Sequence, residues 1–144
     1  MTERRTAGER DTMRVARIFD LVDAETGPRM ADDHPRLGTD EAARFGAYLR
    51  SGAPVLMTTA RMNDVVDPQR GGVVPMNFFT DGEWVWSEAV VYYLEEYGLE
   101  PEADLAAAIR ARDFVMPSVD PGAADRAIAA LQRPSKPAVW THSG

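Results

Sequence analysis

Carboxylate side chains are the groups in this sequence that are numerous and closely spaced enough to do chemistry. No lysine or arginine occurs from Gly71 to Ile109, and this stretch holds eight acidic residues: Asp81, Glu83, Glu88, Glu95, Glu96, Glu100, Glu102 and Asp104. Two carboxylates flanking a substrate can act as general acid and base, as in glycosidases. Gathered on one face, the same charges would instead attract a positively charged partner, or simply keep the surface solvated. The sequence leaves these alternatives open.

Other catalytic and metal-binding patterns are missing from the sequence. There is no cysteine, and the two histidines, His34 and His142, have no further ligand at zinc spacing. No serine occupies a nucleophile elbow. Gly71-Gly72 precedes a predicted strand rather than a helix, so we expect no phosphate-binding loop. We therefore predict no catalytic residue, no metal and no cofactor, although a small enzyme remains an alternative.

A long polar loop, 60–72, carries a second group of candidates. Asn63, Asp64 and Asp67 have some likeness to a calcium loop but lack the EF-hand spacing and its final glutamate. Asx turns explain these residues equally well. Long loops in compact domains are often functional, and Arg61 is suited to binding a carboxylate or phosphate.

Aromatic residues are concentrated directly before and within the acidic stretch. Trp84 and Trp86 share one face of a predicted strand, while Tyr93 and Tyr97 lie on the apolar stripe of a predicted helix. These four residues are expected to form a core cluster, with a ligand pocket as the alternative. Tyr92 lies off that stripe, so we predict that it is an interface residue on an exposed face, with the covering of a neighbouring segment as an equal alternative.

The elements that position these residues are those of a small α+β domain. Apolar, β-branched runs predict strands at 15–22, 54–59 and 73–80, and Asp81-Gly82 predicts a two-residue hairpin turn with positive φ at both positions. Thr39 is the predicted N-cap of a helix over 40–51 that ends at a left-handed Gly52. Ser87 and Gly98 are the predicted ends of the next helix. We expect a small antiparallel sheet of three or four short strands packed by about four helices.

The length of the sequence and the lack of a visible targeting or membrane-spanning segment predict one cytoplasmic domain. The 144 residues suit a single domain over 13–132, with a disordered arm over 1–12 and an irregular tail, including Trp140, over 133–144. No signal sequence or membrane-spanning run is visible. The net charge of -7 argues against nucleic-acid binding.

The block 73–99, VVPMNFFTDGEWVWSEAVVYYLEEYGL, carries a resemblance. It is similar to a pattern in small uncharacterised actinobacterial proteins, in which an aromatic strand, a TDG turn, a WVW-like strand and a tyrosine-rich helix ending in glycine follow one another. Some of these proteins resemble immunity partners of polymorphic toxins. The resemblance implies an intracellular antidote that binds and occludes a toxin domain.

We therefore predict a non-enzymatic protein-binding module that presents an acidic face to a basic protein. The predicted partner-binding residues are Tyr92, Glu88, Glu95, Glu96, Glu100, Asp104, Arg61 and Asp64. The alternatives are a small enzyme or small-molecule-binding domain and a subunit that self-associates. The small-molecule alternative predicts an aromatic pocket lined by Trp84, Trp86, Asp64 and Arg61. We expect a monomer or a weak homodimer.

Overall fold

In the part of the chain that the structure describes, short strands precede, and partly alternate with, four helices. The computed structural model describes residues 13–23, 25 and 27–132, so the predicted arm over 1–12 and tail over 133–144 lie outside the described residues. The strands are β1 (Arg14–Val15), β2 (Leu21–Asp23), β3 (Gly27–Arg29), β4 (Ala53–Leu56), β5 (Arg61–Asn63), β6 (Gly72–Pro75), β7 (Phe78–Thr80) and β8 (Trp84–Ser87). The helices are α1 (Thr39–Arg50), α2 (Glu88–Tyr97), α3 (Ala103–Ala111) and α4 (Ala123–Gln132), with a 3₁₀ turn at Pro68–Arg70. The predicted α+β class is confirmed.

A four-stranded sheet in the order β1–β8–β7–β4 lies at the centre of the fold. Its pairs are antiparallel except at one edge, where β1 runs parallel to β8. There the backbone N–H groups of Arg14 and Ala16 donate to the carbonyls of Glu83 and Val85. The sheet is thus mixed rather than purely antiparallel. The hairpins β2–β3 and β5–β6 form separate two-stranded sheets.

Alternation along β8 divides the hydrophobic core into two layers. Trp84 and Trp86, at most 2 % exposed, pack against α1, α2 and α3, and the Trp86 indole donates to the carbonyl of Leu49 at 3.2 Å. Val85 faces the other side, where it meets α4 through Ala127 and Ala130. The tryptophans therefore belong to the core and do not line a ligand pocket.

The predicted aromatic cluster divides between two cores. Tyr93 packs with Phe19 and Val74 in a second cluster, in which the β5–β6 hairpin covers α2. Tyr97 packs at the edge of this second cluster, half-buried. Helix α2, rather than the sheet, therefore positions the tyrosines.

The N-terminal run predicted as one strand over 15–22 forms two short strands. Residues 17–20 between them leave the sheet, because Phe19 is buried in the second core and the backbone N–H of Arg17 donates to Glu102 Oε1 at 2.6 Å. These long-range contacts replace the strand pairing that the local sequence favoured.

The ends of α2 are confirmed. The Ser87 hydroxyl accepts the backbone N–H of Ala89 at 3.0 Å, and Gly98 ends the helix with φ of 72°. For α1, however, the N-cap is Gly38, without a side-chain bond, rather than Thr39.

Gly52 is required for a different reason from the predicted one. Its φ is not positive, and the residue that follows α1 is Ser51 in a right-handed conformation. A Cβ at Gly52 would instead lie 2.7 Å from Trp86 Cζ2 and 3.1 Å from Phe79 Cβ. Close approach to the core tryptophan therefore excludes a side chain here.

The hairpin between β7 and β8 is confirmed, but its turn is longer than predicted. The last paired residues are Thr80 and Val85, and Gly82 has a positive φ of 98° whereas Asp81 does not. The Asp81 carboxylate accepts two backbone N–H groups of the turn, which stabilises the longer loop.

Candidate functional site

The eight acidic residues of the 71–109 stretch are bound by groups from the rest of the chain. Five arginines supply most of the partners: Arg112 for Asp81 and Glu83, Arg50 for Glu88 and Glu95, Arg70 for Glu96, Arg110 for Glu100, and Arg14 for Asp104. Glu102 accepts a backbone N–H instead. The stretch that lacks basic residues in sequence is therefore largely paired with basic residues in space.

The bidentate pair between Arg50 and Glu95 shows how tightly these contacts are made. Arg50 Nε lies 2.7 Å from Glu95 Oε2, and an Arg50 Nη atom lies 2.6 Å from Oε1. The arginine hydrogen bonds lower the pKa of Glu95 and raise that of Arg50. A partner that used Glu95 as a bare carboxylate would first have to displace Arg50.

The predicted partner-binding residues occupy several separate places. Tyr92, Asp64 and Glu96 meet around Arg70, whereas Glu88 and Glu95 meet around Arg50. The remaining predicted residues are Glu100 beside Arg110, Asp104 beside Arg14, and Arg61 on β5, where it donates to the Val73 carbonyl at 3.4 Å. These residues do not form one continuous face through their own contacts.

The Asp64 cluster, which we define as Asp64, Arg70, Tyr92, Tyr93 and Tyr97, fixes the 64–71 loop on α2. The hydroxyls of Tyr92 and Tyr97 each donate to Asp64 Oδ2 at 2.6 Å, and the Tyr93 hydroxyl accepts the backbone N–H of Val65 at 3.0 Å. Arg70 lies 3.8 Å from the same carboxylate oxygen and donates to the Tyr97 hydroxyl.

Asp64 is fully buried but remains a stabilised anion. Burial by itself opposes ionisation, but two tyrosine hydroxyls and the backbone N–H groups of Asp67 and Val66 donate to the carboxylate and together lower its pKa. Burial, followed by the hydrogen bond to Asp64, raises the pKa of Tyr92. Both carboxylate oxygens of Asp64 therefore accept hydrogen bonds from within the chain, as expected for a residue that anchors a loop internally.

Two of the predicted partner-binding residues are corrected by this geometry. Asp64 has no exposed surface with which to contact a partner. Tyr92 is half-buried rather than projecting into solvent, because its hydroxyl reaches the Asp64 carboxylate and its ring packs edge-on against Tyr93. Helical spacing placed Tyr92 off the apolar stripe, but the loop after β5 covers that side of α2.

The Asp81 cluster, which we define as Asp81, Tyr48, Glu83 and Arg112, is built in the same way. The Tyr48 hydroxyl and an Arg112 Nη atom each lie 2.6 Å from Asp81 Oδ2, and that nitrogen also lies 2.8 Å from the Tyr48 hydroxyl. Burial and the Asp81 contact raise the pKa of Tyr48 well above its usual range. The cluster joins the β7–β8 hairpin to α1 and to the end of α3.

An open groove lies between α1 and the C-terminal end of α2. Its volume is about 500 Å³. The α1 wall consists of small residues, Ala42, Ala43, Gly46 and Ala47, and Leu37 and Leu94 add apolar surface. The Arg50–Glu95 ion pair provides the charged part of the groove lining.

Reasoning from the sequence missed this groove and the arginines that neutralise the acidic stretch. The signal for the groove is the run of alanine and glycine on α1, which leaves that face of the helix flat. Gly46 lies so close to α2 that a Cβ would sit 3.4 Å from Glu95 Oε2. No local signal identifies the arginine partners, since Arg50 and Glu95 are 45 residues apart.

Metal binding and membrane insertion find no support in the described residues. Within 13–132, apart from the two undescribed positions, no group of three or more histidine, aspartate or glutamate side chains could hold a metal ion. In the same part of the chain, no helix has both the length and the apolar character needed to span a bilayer.

Comparison with known proteins places this chain in no family. No family model matches the sequence, and neither a curated protein nor a solved structure is significantly similar to it.

Proposed function

We propose that this domain is a non-enzymatic protein-binding module that uses the α1–α2 groove to bind a protein with a positively charged surface. The observation that carries the proposal is the groove itself. It is open, has a volume of about 500 Å³, and its mainly apolar lining has small residues on one wall. Ala43 and Ala47 in this wall are exposed. Small exposed residues let the side chains of a partner approach the helix backbone closely.

The net charge of -7 supports a basic partner. Ion pairing inside the chain removes local charges but leaves the net charge of the protein unchanged. At a distance greater than a few ångströms, a partner therefore still experiences a negative protein, and such a field accelerates the encounter with a basic surface. In this proposal the field steers the partner, and the apolar groove supplies the short-range contact.

An immunity protein is the more specific form of this proposal. The 73–99 block resembles small actinobacterial proteins, some of which resemble immunity partners of polymorphic toxins, and this resemblance supports the proposal. An acidic antidote would also suit a basic toxin domain that acts on nucleic acids. The alternative of an aromatic ligand pocket has less support, because Trp84, Trp86 and Asp64 are all buried and Asp64 packs away from the tryptophans.

A site-specific crosslinking experiment tests the groove. A photoreactive amino acid replaces Ala47 in the groove and, as the matched control, Ala129, an exposed alanine of α4 on the other side of the sheet. In cells of the source organism, the Ala47 position should crosslink to a basic protein and the Ala129 position should not. Identical crosslinking at both positions, or none at Ala47, would contradict a docking role for the groove.

Purified components then measure the contribution of the groove. Ala47→Trp fills the groove and should weaken binding of the crosslinked partner at least tenfold, while Ala129→Trp leaves it unchanged. Raising the salt concentration should slow association of the wild-type protein, because steering by net charge is screened. An unaltered affinity in Ala47→Trp would place the interface elsewhere.

A further inference from the structure

A second concave surface lies on the side of the molecule where β3 approaches the loop after β5. This cleft has a volume of about 260 Å³ and is lined by Arg29 and Arg36, with Asp32 beside them. Val65, Val66 and the almost fully buried Leu99 provide apolar lining. A cleft of this size is suited to a small ligand rather than to a protein segment.

The two arginines of the cleft differ from most other arginines in the described part of the chain. Arg14, Arg50, Arg70, Arg110, Arg112 and Arg126 each pair with a carboxylate. Within the described residues, the side chain of Arg29 makes no hydrogen bond or ion pair, and the Arg36 guanidinium donates only to the backbone carbonyl of Tyr97, at 3.0 Å. Two guanidinium groups therefore line one cleft of an acidic protein without a carboxylate partner among the described residues.

The composition of the cleft indicates the class of ligand. A guanidinium group binds a carboxylate or phosphate through paired hydrogen bonds. The carboxylate of Asp32 lines the same cleft and disfavours a multiply charged anion such as phosphate. Val65, Val66 and Leu99 give the cleft an apolar part, which can accommodate a hydrocarbon portion of the ligand. A singly charged organic acid with an aliphatic chain satisfies all three conditions.

We propose that this cleft binds a small aliphatic monocarboxylate, with its carboxylate held by Arg29 and Arg36 and its chain against Val65, Val66 and Leu99. This site is separate from the protein-binding groove between α1 and α2. It requires no protein partner, so the purified chain alone can test it. If the cleft does not bind a carboxylate, the proposed protein-binding function still stands. If the groove does not bind a protein, the proposed carboxylate site still stands.

Titration of the full chain with 4-methylpentanoate, followed by NMR, is the test. We expect saturable shifts of the Val65, Val66 and Leu99 methyl signals at concentrations up to about 10 mM. The uncharged isostere 4-methylpentanamide should bind at least tenfold more weakly, because it cannot form charge-assisted bonds. Equal binding of acid and amide, equal or tighter binding of inorganic phosphate, or no saturable shift would overturn the proposal.

Three charge-neutralising variants identify the residues involved. Arg29→Gln and Arg36→Gln should each weaken carboxylate binding about tenfold or more. Arg44→Gln is the matched control, because Arg44 is exposed on α1, has no carboxylate partner among the residues that the structure describes, and stacks on the Phe114 ring at 4.2 Å. Unchanged binding in both cleft variants, or an equal loss in Arg44→Gln, would overturn the assignment.

A fourth variant keeps the test valid if Arg36→Gln disturbs the loop that Arg36 fixes to Tyr97. Val66 is 38 % exposed in the wall of the cleft, so Val66→Asp adds a negative charge without opening the core. It should weaken 4-methylpentanoate binding at least tenfold, whereas the isosteric Val66→Thr should change it much less. Equal affinities of these two variants would contradict the proposed position of the carboxylate.

Discussion

The Asp64 and Asp81 clusters each satisfy the oxygens of a buried aspartate carboxylate, but with different sets of donors. In each, one oxygen of a buried aspartate accepts two backbone N–H groups from the residues that follow it, and the other oxygen accepts tyrosine hydroxyls. In the Asp81 cluster, an arginine bonds directly to the buried oxygen at 2.6 Å. In the Asp64 cluster the arginine is 3.8 Å away, and a second tyrosine occupies the position closest to the carboxylate.

This difference shows how a domain can keep a buried carboxylate with or without a direct countercharge. A buried charge is tolerated only when hydrogen bonds or an opposite charge replace its lost hydration. Asp64 relies on four hydrogen-bond donors, and Asp81 on two N–H groups, one tyrosine and one arginine. The Asp64 cluster fixes one loop on α2, whereas the Asp81 cluster joins the hairpin, α1 and the end of α3.

Removing Asp81 should produce the largest effect. Asp81→Ala leaves the partly buried Arg112 without its countercharge and frees two backbone N–H groups of the hairpin, so we expect a loss of about 3–5 kcal/mol in the free energy of unfolding. Urea denaturation measures this loss. A decrease below about 1 kcal/mol would show that Arg112 finds sufficient compensation from Glu83 and solvent.

Removing Asp64 should cost less. In Asp64→Ala no arginine loses a direct partner, since Arg70 retains its pair with Glu96 at 3.1 Å, and the unsatisfied groups are neutral hydroxyl and N–H donors. We expect a loss of about 2–3 kcal/mol, measured under the same conditions. If Asp64→Ala destabilised the protein more than Asp81→Ala, the direct arginine contact of Asp81 would not stabilise the fold more than the second tyrosine of Asp64 does.

Tyrosine-to-phenylalanine changes sharpen the comparison at the level of single hydroxyls. Tyr48→Phe removes the one tyrosine hydroxyl that Asp81 accepts, and should cost about 1–1.5 kcal/mol. Tyr92→Phe leaves the Tyr97 hydroxyl on Asp64, so its loss should be nearer 0.5–1 kcal/mol, with the double change Tyr92→Phe/Tyr97→Phe exceeding the sum of the single changes. Strict additivity of the two single losses would argue against shared support of Asp64.

The smallest expected effect is a pH dependence of stability that arises from Asp64. Because its pKa is lower in the folded chain than its ordinary value near 4, its contribution is fully present above about pH 4 and is lost as the pH falls through the folded pKa. Asp64→Asn does not titrate and should remove this part of the acid dependence. Urea denaturation of both proteins between about pH 5 and pH 2.5 measures the difference; parallel curves would contradict it.

Local signals in the sequence predicted many of the elements correctly. The capping Ser87, the left-handed Gly98 and the hairpin signal of Asp81-Gly82 specify local backbone geometry, and the structure confirms each of them apart from the length of the hairpin turn. The alternation of Trp84, Val85 and Trp86 likewise predicted which side chains share a face. Contacts within a few residues determine these features, so the sequence contains the information directly.

The candidate site was less predictable, because its character depends on contacts between distant residues. The acidic stretch suggested a bare negative face, but arginines from 10 to 90 residues away pair with most of it. The long loop suggested that Asp64 was accessible, but three tyrosines of α2 hold that loop down. Neither the arginine–carboxylate pairs nor the tyrosine contacts of this loop produce a periodic pattern in the sequence, so they could not be predicted from it.

By itself, the sequence determined the α+β class, the ends of α2 and the net negative charge, since these follow from local backbone preferences and from residue counts. Only the tertiary structure decided which carboxylates are neutralised, which aspartates are buried, and where the grooves open. Coulombic attraction and burial depend on distances across the fold, and a chain of 144 residues can bring many different pairs together. The packing of α1, α2 and the sheet selected one set of those pairs.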